Sequence, residues 1–424
     1  MTTTWQFATD GRRPKLLVIG PGYRKYREYL LRSLAGAYRV HLLNPIEPTW
    51  ESEYAEHTTV LADSDPDSML DAARRIDAAD PIAGVLCWDE TKIIAAAHVA
   101  AGLGLPGGQV DAMEHCRDKN LTRTALAGTA VPQPTSVLVA TVDEALAGAE
   151  EIGYPVILKP RAAATSWGVV LAHTPAQVRG AFELSNTATI VGARRYDASV
   201  LVEEYVTGPE ISVDSTVFRG EVTPVVVARK EVGFEPYFEE VGHTVDANDP
   251  LLHDPALRAA LTEAHAAIGF TDGWTHTEFK LTPSGPKLIE VNGRLGGGLI
   301  PYLGQLASGV DAGLAAAAVA CGTAPDLARP LARHSAIRFF YVEEDNLVVE
   351  SVDFDREALH PAVDLAVSLA ERGAVLSPPP KVLFPRLAMA TAVADTAEEC
   401  QQALNSAAAA LRARFQNGGA TAAA

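Results

Sequence analysis

The chain has 424 residues, 48% hydrophobic and 21% charged, so it is too long for one ordinary domain, can bury a sizeable core and is not globally disordered. Its 53 acidic against 35 basic residues give a formal charge of -18, a field that repels phosphate backbones and anionic lipid. A nucleic-acid coat or membrane-surface role is thereby excluded, whereas a single small anion in a locally basic pocket is not.

The first hundred residues alternate strand and helix. Lys15 to Gly20 is a short apolar run closed by Gly20-Pro21-Gly22, which predicts a buried parallel strand and its turn. A helical pattern follows over Tyr23 to Leu34, a second strand over Arg39 to Leu43, a third over Ala83 to Trp88, and Ala-rich helix over Thr91 to Leu103. This order implies a Rossmann-like parallel sheet. Helices are expected at Lys119–Ala127 and Val142–Ile152, with strands at Tyr154–Lys159 and Gly168–Ala172 around a small-residue loop. Strands dominate from Val200 to Asn292, broken by a helix near Leu257–Ile268; a glycine run at 296–298 and an Ala-rich helix near Asp311–Ala320 follow. Beyond a boundary at Pro325 to Pro330, strands are expected near Ser335–Tyr341 and Leu387–Val393. A closing helix carries Ala397, Cys400, Leu404 and Leu411 on one face, and the tail Asn417–Ala424 is expected to fray. Cys87, Cys116, Cys321 and Cys400 stand far apart with no paired spacing, as expected of buried thiols in a reducing compartment. Met1 to Lys15 holds no apolar core of a signal segment and Leu314–Ala320 is too short to span a bilayer, so a cytoplasmic protein is expected.

Two constellations carry chemistry. The loop from Lys159 to Gly168 joins two strands; its small residues let backbone N–H groups approach an oxyanion, Thr165 and Ser166 add hydroxyls, and Lys159 adds a positive charge suited to phosphate. It lacks the Gly-Lys-Ser/Thr core of a Walker loop. The second is a hairpin, Thr275–Leu281 and Lys287–Asn292 about the turn Pro283-Ser-Gly-Pro286. Alternation puts His276 and Glu278 on one side of the first strand, and Glu290 and Asn292 on one side of its partner. A turn centred near Ser284 brings Glu278 opposite Glu290, and two carboxylates facing each other repel unless a cation lies between them. All-oxygen donors select Mg²⁺ or Mn²⁺. Arg294 follows on the same side if the strand persists, fit for a carboxylate or a transferring phosphoryl group. Val200 to Glu210 is a strand whose end can offer an amide and carbonyl to an adenine edge and a carboxylate to ribose.

Arg117-Asp118-Lys119, Ile157-Leu-Lys159-Pro160 with its loop, Val202-Glu-Glu-Tyr-Val206 leading to Gly208-Pro-Glu210, and Glu278 with Glu290-Val-Asn292-Gly-Arg294 resemble, in this order, the ATP-grasp superfamily over residues 15 to 325. The resemblance implies an α/β ATP-grasp fold in four parts: a Rossmann-like domain at 1–110, a lid subdomain at 111–195, a metal-bearing subdomain at 196–328 and a small α+β domain at 329–424. It also supplies roles. Lys119 and Lys159 would hold the phosphates of ATP under a loop including Thr165, Ser166 and Gly168. The hinge Glu203, Glu204, Tyr205 and Val206 would bind adenine, and Glu210 the ribose. Glu278, Glu290 and Asn292 would be the Mg²⁺ (or Mn²⁺) ligands, with Arg294 steadying developing negative charge. His276-Thr-Glu278-Phe-Lys-Leu followed by Gly296-Gly-Gly298, with Ser377-Pro-Pro-Pro380 and Arg386 further on, is most similar to the L-amino acid ligases. That likeness implies carboxylate–amine ligation of two amino acids through an acyl phosphate, releasing ADP and phosphate. Glu90, His276, Arg294, Gly297 and Gly298 would then border the substrates, with Glu90 near an amine and His276 near a carboxylate. Small-molecule amino acids are the implied partners, with no nucleic acid or membrane, and a homodimer stays open. The alternatives are an ATP-grasp enzyme acting on bicarbonate or a purine precursor, and a non-catalytic nucleotide-binding protein.

Overall fold

The computed structural model describes residues 13–188 and 199–416; the expected fraying tail at 417–424 lies outside them. The chain begins with β1 (Lys15–Ile19), α1 (Arg24–Ala37), β2 (Arg39–Asn44), β3 (His57–Val60), α2 (Pro66–Ala79), β4 (Ile82–Cys87) and α3 (Ile93–Gly102), whose strands form a parallel sheet in the order β3-β2-β1-β4. After Lys15, strand β1 is apolar because both its faces are covered: Leu16 and Val18 enter a core with Leu30 and Ala316, while Leu17 and Ile19 meet Met69 and Val99. The strand order reverses between β1 and β4, and the carboxyl ends of those strands open the crevice where ligands bind in such sheets. Strand β3 was not read from the sequence; it is short, polar and half exposed.

Helices α4 (Val110–Arg117) and α5 (Lys119–Leu126) lead to a second sheet. It comprises β5 (Ser136–Val139), α6 (Val142–Ile152), β6 (Val156–Pro160), β7 (Val170–Ala172), α7 (Pro175–Thr187) and β8 (Val200–Glu204), in the strand order β5-β8-β6-β7. Val156, Leu158, Val200 and Val202 point into the core under α6 and α7, so the alternate residues Ile157, Lys159 and Glu203 take the opposite face. Strand β8 lies beyond the boundary expected at 195/196, yet it completes this sheet.

The remaining strands are β9 (Glu210–Phe218), β10 (Glu221–Gly233), β11 (Glu239–Asp246), then after α8 (Pro255–Ile268) β12 (Gly273–Thr282) and β13 (Gly285–Asn292). Helices α9 (Ile300–Ser308) and α10 (Ala312–Ala320) precede β14 (His334–Tyr341), β15 (Leu347–Phe354), β16 (Val363–Ser368), β17 (Val375–Leu376) and β18 (Arg386–Ala394); α11 (Ala397–Ala410) and β19 (Leu411–Phe415) end the described chain. Eight strands make one sheet in the order β13-β12-β9-β10-β11-β14-β18-β16, so strands from beyond residue 330 extend the central sheet rather than standing apart. Leu411, expected on the closing helix, starts β19 because α11 ends at Ala410 and the chain turns extended. On β9, Ile211, Val213 and Val217 pack under α8, which leaves Glu210, Ser212 and Asp214 on the other face. Among the described residues no single helix is long and apolar enough to cross a membrane.

Candidate active site

The site grows from the β12–β13 hairpin. Thr282 pairs with Gly285, so Pro283 and Ser284 alone make the turn; a bulge between Glu278 and Phe279 skips Ile289 and sets Glu278 opposite Glu290 and His276 opposite Asn292, the facing pair that was expected. Phe279 and Val291 are buried on the α8 side. Each carboxylate is met by an ammonium: Glu290 by Lys119 at 3.1 Å, and Glu278 by Lys230 at 2.8 Å. Lys230, buried on β10, also touches Glu210 and Glu240, each at 2.7 Å. Burial opposes its charge, but the three carboxylates outweigh that and raise its pKa well above the usual value. Burial likewise opposes ionisation of Glu278, and Lys230 and His276 more than offset it, so its carboxyl lies well below the usual range. Among the described residues no group of three His, Cys, Asp or Glu is gathered tightly enough to hold a metal unaided. The donor set nevertheless fits a hard divalent ion. It offers two carboxylates in register and Asn292, whose Nδ2 donates to the His276 carbonyl (3.4 Å) and so leaves Oδ1 as the atom that could ligate.

His276 is buried, with Nδ1 donating to Asp214 Oδ1 at 2.6 Å and Nε2 lying 3.3 Å from Glu278 Oε1. Asp214, fully buried on β9, also accepts from Trp274 Nε1 (2.9 Å) and the Gly296 amide (3.1 Å). Burial lowers the His276 pKa, but Asp214 and Glu278 outweigh it and lift the ring to about 9. With both ring nitrogens engaged, the contact with a substrate carboxylate expected for His276 gives way to anchoring Glu278. Two glycines of the run are needed by packing: a Cβ at Gly296 would lie 2.9 Å from both Asp214 Oδ1 and His276 Nδ1, and one at Gly298 (φ +56°) would lie 2.4 Å from His243 Nε2, whereas one at Gly297 would meet nothing.

Strand β13 ends at Asn292 and the chain bends at Gly293, so alternation no longer governs Arg294. Its guanidinium still lines the same cavity. There Nε donates to Glu90 Oε2 and Nη1 to the Leu295 carbonyl (2.9 Å). Glu90 stands just past the carboxyl end of β4, where the parallel sheet opens, and also faces Arg117 at 3.7 Å. Burial opposes its ionisation, and the two arginines outweigh that. Glu90, expected near a substrate amine, therefore spends its carboxylate on orienting Arg294.

Across the cavity lies the lid sheet. Asp118 caps α5 by accepting from the Asn120 amide (3.0 Å) and pairs with Arg161 at 2.7 Å. That cap places Lys119 at the helix start, where its ammonium donates to the Ala163 carbonyl (3.2 Å) beside its pair with Glu290. Lys159 pairs with Glu203 at 2.6 Å. Arg123 grips the same carboxylate with Nε and Nη2 at 2.8 and 3.1 Å, and Ser136 donates at 3.0 Å. Glu203 thus has no side-chain capacity for adenine; the hinge expected at 203–206 has its side-chain chemistry fixed by ion pairs, since Glu204 is held by Lys287 at 2.7 Å. Tyr205 and Val206, past the end of β8, line the cavity with Ile157 and Ile289. Glu210 is shared by Lys230 (2.7 Å) and Lys280 (2.9 Å). In the covering loop Thr165 and Ser166 adopt positive φ (59° and 54°), and Gly168 (φ +80°) cannot carry a Cβ, which would come 2.5 Å from Ala188. Two residues other than glycine therefore make the turn where the run of alanines leaves no glycine.

Burial works against ionisation of Glu203, yet Arg123 and Lys159 outweigh it and hold its carboxyl at about 2. A carboxyl depressed in the fold stabilises it above the ordinary value of the unfolded chain, and the gain is lost as pH falls through the folded value. The melting temperature is expected to fall steeply between about pH 5 and pH 2, with less of that fall in Glu203→Gln. A melting temperature flat over this interval contradicts the ion cluster.

One cavity of about 210 Å³ is lined by Lys119, Lys159, the loop at 163–167, the hinge, Glu210, His276, Glu278, Glu290, Asn292, Arg294, Gly297 and Gly298. The expected site residues are thereby brought together, Gly168 closing the loop and Glu90 standing behind Arg294. Sequence reasoning missed Asp214, Lys230, Glu240, His243 and Arg123. A signal existed for Asp214, an acid on the polar parity of a strand whose other parity is apolar.

Residues 152–301 match the ATP-grasp domain family. The chain is 31% identical over 303 residues to an uncharacterized protein of Sinorhizobium fredii, covering 70% of this chain and 61% of that protein. It is 30% identical over 246 residues to alanine–anticapsin ligase of Bacillus subtilis, covering 53% of this chain and 50% of the ligase. It thus spans between half and two thirds of these two relatives. The crystal structure of an L-amino acid ligase from Bacillus licheniformis superposes with a TM-score of 0.78 at 21% identity, over 96% of this chain and all of that one. The fold, the order of the site residues and the domain match agree: the chain has the ATP-grasp fold and carries an ATP-grasp domain at residues 152–301.

Proposed function

We propose that the protein is an ATP-dependent carboxylate–amine ligase that joins two amino acids through an acyl phosphate. The observation that carries this reading is the convergence, in one cavity, of two facing carboxylates, two lysines on the lid side and a guanidinium held by the parallel domain. That combination suits transfer of a phosphoryl group to a carboxylate. The similarity to alanine–anticapsin ligase and to an L-amino acid ligase structure supports the choice of amino acids as substrates.

In this reading Glu278, Glu290 and Asn292 would hold Mg²⁺ or Mn²⁺, which when bound neutralises phosphate charge. Lys159 can turn to a phosphate without stranding Glu203, because Arg123 and Ser136 remain on that carboxylate. Lys119 exchanges Glu290 for phosphate. Backbone groups at Glu204–Val206 would meet the adenine edge between the apolar walls Ile157 and Ile289, and Glu210 the ribose. The loop with Thr165, Ser166 and Gly168 would cover the phosphates and exclude water from the reactive acyl group. A carboxylate oxygen of the first amino acid attacks the γ-phosphorus and ADP leaves. The amine of the second then attacks the acyl carbon, and orthophosphate departs with the bridging oxygen. Arg294, oriented by Glu90, faces the charge that develops, while Gly297 and Gly298 let the substrate approach the backbone.

Chromatography of spent nucleotide from a matrix of paired amino acids tests the proposal. ADP and orthophosphate are expected, and only when suitable amino acids are present. AMP as the main product, or stimulation by bicarbonate instead of amino acids, would refute it.

A further inference from the structure

Two amino-acid substrates bring two carboxylates to a cavity already rich in acids. Only the acyl donor's is consumed; the other persists through the reaction and needs a cation of its own. The lysines that line the cavity are spoken for: Lys119 and Lys159 serve the phosphates in the reading above, and Lys280 is held by Glu210. Two guanidiniums line it as well, Arg294 and Arg386. Arg294 lies next to the metal-ligand hairpin and serves the reacting carboxylate in the reading above.

Arg386 opens β18, a strand supplied by the last part of the chain, and sits opposite Tyr341 of β14. It is held rigidly. Its guanidinium stacks on Phe339 at 3.7 Å, Nε donates to the Tyr341 hydroxyl (3.2 Å) and faces Glu239 (3.4 Å), and Nη2 faces the Glu240 carbonyl (3.4 Å) and carboxylate (3.7 Å). Its remaining nitrogen, Nη1, donates no hydrogen bond among the described residues, whereas Nε and Nη2 each donate one. The acids beside it do not use up its charge: Glu240 is shared with Lys230, and burial pushes the Glu239 carboxyl up, towards its neutral form. The contacts from Glu278 to Lys230 (2.8 Å), Lys230 to Glu240 (2.7 Å) and Glu240 to Arg386 (3.7 Å) put the guanidinium beyond the hairpin yet within the same cavity.

We infer that Arg386 binds the carboxylate of the amine-donating substrate through Nη1, so that this substrate is an amino acid with a free carboxylate and not a simple amine or an amino-acid amide. The inference rests on the ligase reading and adds to it a residue from outside the ATP-grasp domain. A guanidinium pinned by a ring and two acids is preorganised, and a cavity donor so placed disfavours analogues that cannot accept from it.

The test compares the free acid and the carboxamide of one amine donor in the wild type, Arg386→Met and Arg386→Lys, reading ADP release and product mass. The wild type is expected to prefer the acid by at least about 100-fold in kcat/KM. Arg386→Met is expected to lower kcat/KM for the acid by about 30-fold or more, chiefly through KM, and to leave the amide nearly unchanged, so that the preference collapses. Arg386→Lys, which keeps the charge beside Glu239, is expected to fall between the two and guards against loss of fold in the methionine variant. KM values for ATP and for the acyl donor should hold. If the wild type ligates and both variants keep its preference for the acid, the inference is overturned and the ligase reading stands. If no amino-acid pair drives ADP release in the wild type, the ligase reading fails and takes the inference with it.

Discussion

Glu290→Gln is expected to abolish ATP turnover while leaving the fold intact. Glu290 faces Glu278 across the hairpin, and the amide removes one of the two negative charges that would hold a divalent ion against the phosphates. The loss acts where negative charge develops, so a fall in turnover of at least about 1000-fold is expected. Lys119 is buried, but it keeps the Ala163 carbonyl and the amide oxygen of the variant can still accept from it, so the melting temperature should shift by only a few degrees. Phosphate release and thermal unfolding of the same preparation decide the matter. A folded variant with near-normal turnover contradicts the assignment of the hairpin.

Glu203→Ala should do the opposite, acting on stability before catalysis. The carboxylate is nearly inaccessible and neutralises both Arg123 and Lys159; its removal leaves two buried cations facing each other across the lid sheet. Breaking a buried ion cluster on one side costs about 3–5 kcal/mol, because the surviving charges lose their compensation. Chemical denaturation should show a loss of that size, and limited proteolysis should cut first in the sheet formed by β5 to β8. A variant within about 1 kcal/mol of the wild type contradicts the account of the lid.

The hairpin was legible in outline, because its turn signal and strand alternation bring Glu278 and Glu290 near each other. The Pro283-Ser284 turn alone would set Glu278 opposite Ile289; a bulge between Glu278 and Phe279, which no local rule announced, shifts the register by one and sets it opposite Glu290. The parallel domain was legible for a similar reason, since the apolar run at Lys15–Ile19 is buried on both sides. What the sequence hides are partners far apart along the chain. Lys159 meets Glu203, Arg294 meets Glu90, and Lys230 gathers Glu210, Glu240 and Glu278; no periodicity announces these pairs. The roles expected of Glu90, Glu203 and His276 shifted for that reason: each is a polar group whose hydrogen-bonding capacity is spent on a residue distant in sequence or on the opposite strand. Arg294 shows a different limit. Strand parity was the reason for placing it, and that reason lapses at the Gly293 bend, where a Cβ would come 2.6 Å from Met113 Sδ, yet the bend delivers the guanidinium to the same cavity. Strands β17 and β19 escaped because they are short, and with the first part of β15 and Leu387 they form a separate small core.

The central claim is that a phosphoryl group passes to a substrate carboxylate before the amide forms. The most direct measurement uses an acyl-donor amino acid labelled with ¹⁸O in its carboxylate, with unlabelled ATP and water, and mass spectrometry of the released orthophosphate. An acyl phosphate keeps the attacking oxygen between carbon and phosphorus, and the amine's attack on carbon sends it out with the phosphate. One labelled oxygen is therefore expected in each orthophosphate formed together with amide product. Amide formation accompanied by unlabelled orthophosphate would contradict the account.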